Sequence, residues 1–107
     1  LHRRDDRPFQ IMSGEYRIIT GDSTTRDLVM SHTSSNFDRT GFQQDLNVVF
    51  PLDRLRELAE KGILGSVASF HYSFMGAADP RGMEAAARDL ANVLKKDHVN
   101  AVLLVPV

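Results

Sequence analysis

Apolar residues fall into short runs separated by polar, turn-rich stretches, and the spacing within each run predicts its conformation. Leu52, Leu55, Leu58 and Ala59 recur at the three-to-four-residue interval that places them on one face of a helix. Pro51 suits the first position of that helix, where its missing N–H would have lacked a partner anyway. Asp53 complements the helix dipole in the first turn, Glu57 and Lys61 make an i,i+4 pair, and Gly62 supplies a left-handed terminator. Ile63 and Leu64 are then expected to fold back on the last turn. A second helix follows the same rules. Asp79 is its N-cap and Pro80 its first residue, Met83, Ala86, Ala87, Leu90 and Leu94 form its stripe, and Lys95 and Lys96 occupy its last turn.

Residues 66–75 alternate instead. Ala68, Phe70, Tyr72 and Phe74 share one face of a predicted strand and Val67, Ser69, His71 and Ser73 the other, with the aromatic stripe expected in the core. Tyr16–Thr20 reads as a strand stopped by Gly21-Asp22-Ser23, and residues 28–32 as a shorter one. Residues 46–50 are open between strand and extended lead-in. Residues 33–44 have no period and many turn formers, which predicts a loop. Residues 1–14 read as an N-terminal arm and 15–107 as an α/β domain.

The run Ala101-Val102-Leu103-Leu104-Val105-Pro106-Val107 is almost uninterrupted in β-branched residues and leucine, the pattern of a strand buried on both faces of a parallel sheet. Strands alternating with helices predict a Rossmann-like, open, mostly parallel sheet with flanking helices and right-handed crossovers. A domain seldom stops at its most hydrophobic strand, so the sheet is expected to be incomplete in this chain. Another polypeptide, or the rest of the same chain, would complete it.

Composition narrows the function classes. With 107 residues the chain supports one domain with a modest core, and 42% hydrophobic against 25% charged residues fits neither a disordered nor a membrane protein. No run approaches the roughly 18 apolar residues of a membrane span, and residues 1–7 lead into no signal-peptide core. The formal net charge of -1, with both signs interspersed and no basic stripe, argues against nucleic acid as a partner. Neither G-x-G-x-x-G nor a P-loop occurs. The absence of cysteine rules out disulfides, zinc-thiolate sites and thiol catalysis within these residues and is in keeping with a cytoplasmic setting.

In open α/β sheets the ligand crevice lies at strand C-termini. Two polar groups are expected there: the loop after His32, and Ser73-Phe74-Met75-Gly76. Gly76 allows close backbone approach to a ligand, although the favoured reading is that it ends a strand. His71 could serve as acid or base, but a packed, hydrogen-bonded histidine is the better reading. For His32, at a strand end, the two readings are balanced. His2 and His98 read as solvated. Asp38, Asp45 and Asn47 flank the polar loop and could position a substrate amine; turn capping is favoured for Asp38 and Asn47. Arg54, beside Asp53 at a helix start, could hold a carboxylate or simply make a surface ion pair. No histidine has the carboxylate neighbours of a metal site, and none is expected.

The string Asp45-Leu46-Asn47-Val48-Val49-Phe50-Pro51-Leu52-Asp53-Arg54-Leu55, with Gly65-Ser66-Val67-Ala68 and His71-Tyr72-Ser73-Phe74-Met75-Gly76, resembles the selenoprotein B family of the glycine, sarcosine, betaine and D-proline reductases. His32, Phe37-Asp38 and the run 101–107 fit it as well, so the similarity spans residues 28–107. His98 and Asn100 depart from it, standing where a glycine and an acid are expected in the turn after the second helix; histidine tolerates the left-handed conformation such a turn needs. The resemblance implies a selenocysteine or cysteine almost directly after the equivalent of Val105-Pro106-Val107. That nucleophile would attack the α-carbon of an amino-acid-like substrate held as a Schiff base on a partner subunit's pyruvoyl group. This chain carries no such nucleophile and no cofactor of its own. It would supply part of the substrate crevice and the platform for a nucleophile lying outside it, and alone it would be inactive. The alternative is a non-catalytic structural or small-molecule-binding subunit of a hetero-oligomer.

Overall fold

A computed structural model describes all 107 residues. In chain order the elements are β1 (His2–Arg3), β2 (Tyr16–Thr20), β3 (Leu28–Val29), α1 (Thr40–Gln44), a 3-10 turn (Leu46–Val48), α2 (Leu52–Glu60), β4 (Phe70–Phe74) and α3 (Pro80–Lys96). They form two small antiparallel ladders, β1 with β3 and β2 with β4. In the second, Tyr16 faces Phe74, Ile18 faces Tyr72 and Ile19 faces His71. The strands joined in this chain thus run antiparallel.

The helices obey their local signals. Asp79 accepts a hydrogen bond from the Arg81 N–H at 2.9 Å, Pro80 opens α3, and Lys95 and Lys96 close it. His98 takes φ of 58° beyond α3, letting the Val99 N–H reach the Leu94 carbonyl at 2.9 Å, so histidine fills the glycine's part in that turn. Gly62, at φ 71°, does the same after α2. There the Ile63 and Leu64 N–H groups turn back to the Leu58 carbonyl, although the Ile63 side chain stays 67% exposed. Pro51 precedes α2 rather than opening it. Glu57 pairs with Arg54 at 2.7 Å instead of Lys61.

Other expectations are corrected. The strand over 66–75 contracts to Phe70–Phe74, and that over 28–32 to Leu28–Val29. The loop over 33–44 ends in α1, and residues 46–48 coil into the 3-10 turn. The N-terminal arm is anchored by β1. His2 is not solvated: it is 3% exposed, because strand pairing draws its ring inward, where its nitrogens meet the Ser31 Oγ at 2.6 Å and the Arg3 carbonyl at 2.7 Å.

The core is small. Ile19, Leu28, Leu52 and Leu90 are its only buried apolar residues. The radius of gyration, 14.3 Å, exceeds the roughly 13 Å of a compact chain of this length. The aromatic face of β4 is only partly covered: Phe70 is 46% exposed and Ile18, beside it, 47%, while Tyr72 and Phe74 are half-buried. Within the α3 stripe Leu90 alone is buried and Ala87 is exposed. The α3 N-terminus does meet the arm, where Gly14 lies so close that an added Cβ would stand 2.9 Å from the Gly82 carbonyl oxygen. Residues 101–107 pair with no strand, and every one of them is exposed.

Candidate functional site

The polar loop after β3 is organised locally. The Asp38 carboxylate accepts the Thr40 N–H at 2.8 Å, a contact that lowers its pKa and launches α1. His32 stacks on Phe37 with ring centres 4.1 Å apart and planes 11° from parallel, while its Nδ1 accepts the Ser34 N–H at 3.1 Å. Next along the chain, Asp45 accepts from the Asn47 side-chain amide and backbone N–H, both at 2.9 Å, and these bonds lower its pKa. Asn47 in turn accepts the Asp53 N–H at 3.1 Å and donates to the Asp53 carboxylate at 3.1 Å. Asp45, Asn47 and Asp53 therefore form a knot that satisfies the start of α2. Capping is the use the structure makes of Asp38, Asp45 and Asn47.

A cleft of about 190 Å³ opens beside this loop. Phe37, Asp38, Phe42 and Val49 wall it, and Pro106 and Val107 lie against it. Its lining is mostly apolar with one carboxylate at the rim, the composition expected of a small-molecule crevice. A wider concavity of about 620 Å³, lined by Arg3, Arg4, Arg26, Asp22 and Asp27 among others, has no apolar wall to exclude water from a ligand.

The remaining candidates stand elsewhere. Arg54 is 61% exposed on the outer face of α2, paired with Glu57. His71 sits on β4 edge-on to Phe50 at 5.2 Å, its Nε2 buried without a partner. Burial, and secondarily the Arg56 guanidinium, lower its pKa. The hydrogen bond foreseen for His71 is therefore missing at Nε2. Ser73 Oγ accepts from the backbone nitrogen of Leu1 at 3.1 Å. Met75 and Gly76 follow the strand, and Gly76, at φ 80°, has open space around its Cα. The structure thus gathers Asp38, with His32 behind Phe37, at the cleft, and leaves Arg54, His71, Ser73, Met75 and Gly76 outside its wall. Sequence reasoning missed Phe42 and Val49, which look like ordinary apolar residues, and Arg39, whose guanidinium donates to the His32 and Phe37 carbonyls.

No helix is long and apolar enough to cross a membrane. No group of three or more His, Asp or Glu side chains is placed to hold a metal ion.

Comparison with known proteins bears on the same stretch. The D-proline reductase subunit gamma of Acetoanaerobium sticklandii is 31% identical over 107 residues, covering 97% of this chain and 43% of that protein. The sarcosine reductase complex component B subunit beta of Peptoclostridium acidaminophilum is 32% identical over 92 residues, covering 85% of the chain and 21% of that protein. The glycine reductase complex component B subunit gamma of Symbiobacterium thermophilum is 35% identical over 69 residues, covering 64% and 16%. The chain spans less than half the length of each of these relatives. No solved structure matches it. Residues 11–107, which include the polar loop, both long helices and the run against the cleft, match the profile of one family, and the chain belongs to it: the glycine/sarcosine/betaine reductase selenoprotein B family.

Proposed function

We propose that this chain is a subunit, or part of one, of a reductase complex that cleaves C–N bonds of amino-acid-like substrates. Its own share is one wall of the substrate crevice and the segment that leads to the nucleophile. The observation that carries this reading is the meeting of Pro106 and Val107 with Phe37, Asp38, Phe42 and Val49 in one cleft. A selenolate or thiolate delivered next to that point would act beside an apolar wall, and cover supplied by another polypeptide or further chain would exclude water there and strengthen charge interactions. The Asp38 carboxylate, held ionised by Thr40, would stand at the rim, able to attract a substrate ammonium group. The chain contains no cysteine, so the nucleophile is supplied from outside these residues, as is any pyruvoyl group.

On this reading residues 101–105 serve as an inner strand of a Rossmann-like, mostly parallel sheet completed by another polypeptide or by further chain. Their exposure here supports that role, since water-facing leucine and valine invite cover. The same exposure favours, as a second reading, a purely structural subunit.

The two separate in one experiment. The complex is assembled with the chain, with a D38N variant and with a V49W variant that fills the cleft, and amine release from glycine and sarcosine and ring opening of D-proline are followed. The crevice reading expects the tryptophan variant to lose nearly all cleavage of whichever substrate the native complex uses. Full activity in that variant, with assembly intact, would leave only the structural role.

A further inference from the structure

A loop rich in hydroxyls and amides holds one shape only where its backbone groups find partners. In residues 32–39 a single side chain provides several of them. The Arg39 guanidinium donates to the His32 carbonyl at 2.9 Å, to the Phe37 carbonyl at 3.1 Å and, more distantly, to the Ser34 carbonyl at 3.5 Å. Its central carbon also lies 5.7 Å from the centre of the Phe37 ring, the ring on which His32 is stacked. Phe37 therefore meets both an imidazole and a guanidinium, and its carbonyl is held by that same guanidinium. Arg39 makes no ion pair with any carboxylate of the chain. Its charge is left uncompensated while its donors are spent on backbone. The bonds leave from two separate nitrogens of a planar fork, whereas a lysine ammonium has its three donors on one nitrogen and no flat face to lie along a ring.

We propose that Arg39 is a positioning residue: by clamping the 32–39 loop it sets where Phe37 and Asp38 stand opposite Pro106 and Val107. The inference rests on the reading of that cleft as the reductase crevice. Arg39 is absent from the cleft wall and acts through Phe37, its near neighbour in the chain.

The test uses R39K and R39Q in the assembled complex, together with NMR of the His32 ring protons, which the stacked Phe37 ring shields. Both variants are expected to shift those protons toward free-histidine positions. Both should lower kcat about a hundredfold, as small misplacements of active-site groups do, with KM within about twofold and the melting transition retained. Lysine should fare no better than glutamine. A raised KM with kcat intact, partly restored by lysine, would make Arg39 a substrate-carboxylate anchor and overturn the proposal. Unmoved His32 signals, or loss of the melting transition in both variants, would overturn it too. If the native complex cleaves no C–N bond while the His32 signals move as expected, the reductase reading fails and the clamp stands.

Discussion

Residues 52–74 and residues 80–107 each join an amphipathic helix to an apolar or aromatic strand sequence, yet the first finds more cover within the chain. Leu52 of α2 is 5% exposed, and β4 is laddered along its whole length to β2, with Ile19 sealed beneath at 2%. In the second region α3 buries Leu90 alone, and beyond it Leu103 is 60% and Leu104 84% exposed. No backbone hydrogen bond reaches residues 100–107. The two regions are equally well specified locally, since both helices are properly started and stopped. What separates them is the presence of an opposing surface. Hydrophobic periodicity tells which side of an element must be covered and is silent about what covers it.

Substitutions can press on that contrast. The largest effect is expected at Ile19: truncation to alanine removes most of a sealed side chain, at a cost of about 2–5 kcal/mol, and with so few buried neighbours to share the loss the chain should be largely unfolded. Urea titration followed by circular dichroism checks this; a normal midpoint would mean that the β2–β4 region is no better anchored than the C-terminal one. A smaller effect should come from acid. Because burial lowers the His71 pKa below its ordinary 6.5, the folded chain favours the neutral ring. Stability should therefore be full above about pH 6.5 and decline as pH falls through the interval just below it, where the unfolded chain binds the proton first. Melting temperatures from pH 7.5 to 5, with H71Q flattening the slope, measure this. The smallest effect belongs to L104K. In the isolated chain it should change stability by less than about 0.5 kcal/mol, while weakening, in pull-down, capture of the covering surface that the proposed role requires. A large loss of stability in the isolated chain would show that residues 101–107 are already packed.

How far the sequence disclosed this molecule follows from the range of each interaction. The ends of α2 and α3 were legible because Asp79, Pro80, Gly62 and the turn at His98 act within a few residues of themselves. The antiparallel union of Tyr16–Thr20 with Phe70–Phe74 was not, since nothing in either strand names its partner or direction. The inward turn of His2 depends on another pairing between separated segments, that with Val29. Among the site candidates, Asp38 was found through the composition of its loop, and the capping of α2 by Asn47 was half visible in its place before a helix. Arg39 was invisible: its importance comes from three carbonyls converging on it, and convergence is a property of the folded loop.

The seam between Gly14 and Gly82 carries one more consequence. Two residues without side chains meet there, main chain against main chain. Most junctions in a protein contain rotamers that absorb small displacements, as a cushion does. This one has none, so any movement of the arm would be handed to the first turn of α3 undiminished, and a single methyl group placed at residue 14 would prise the two apart.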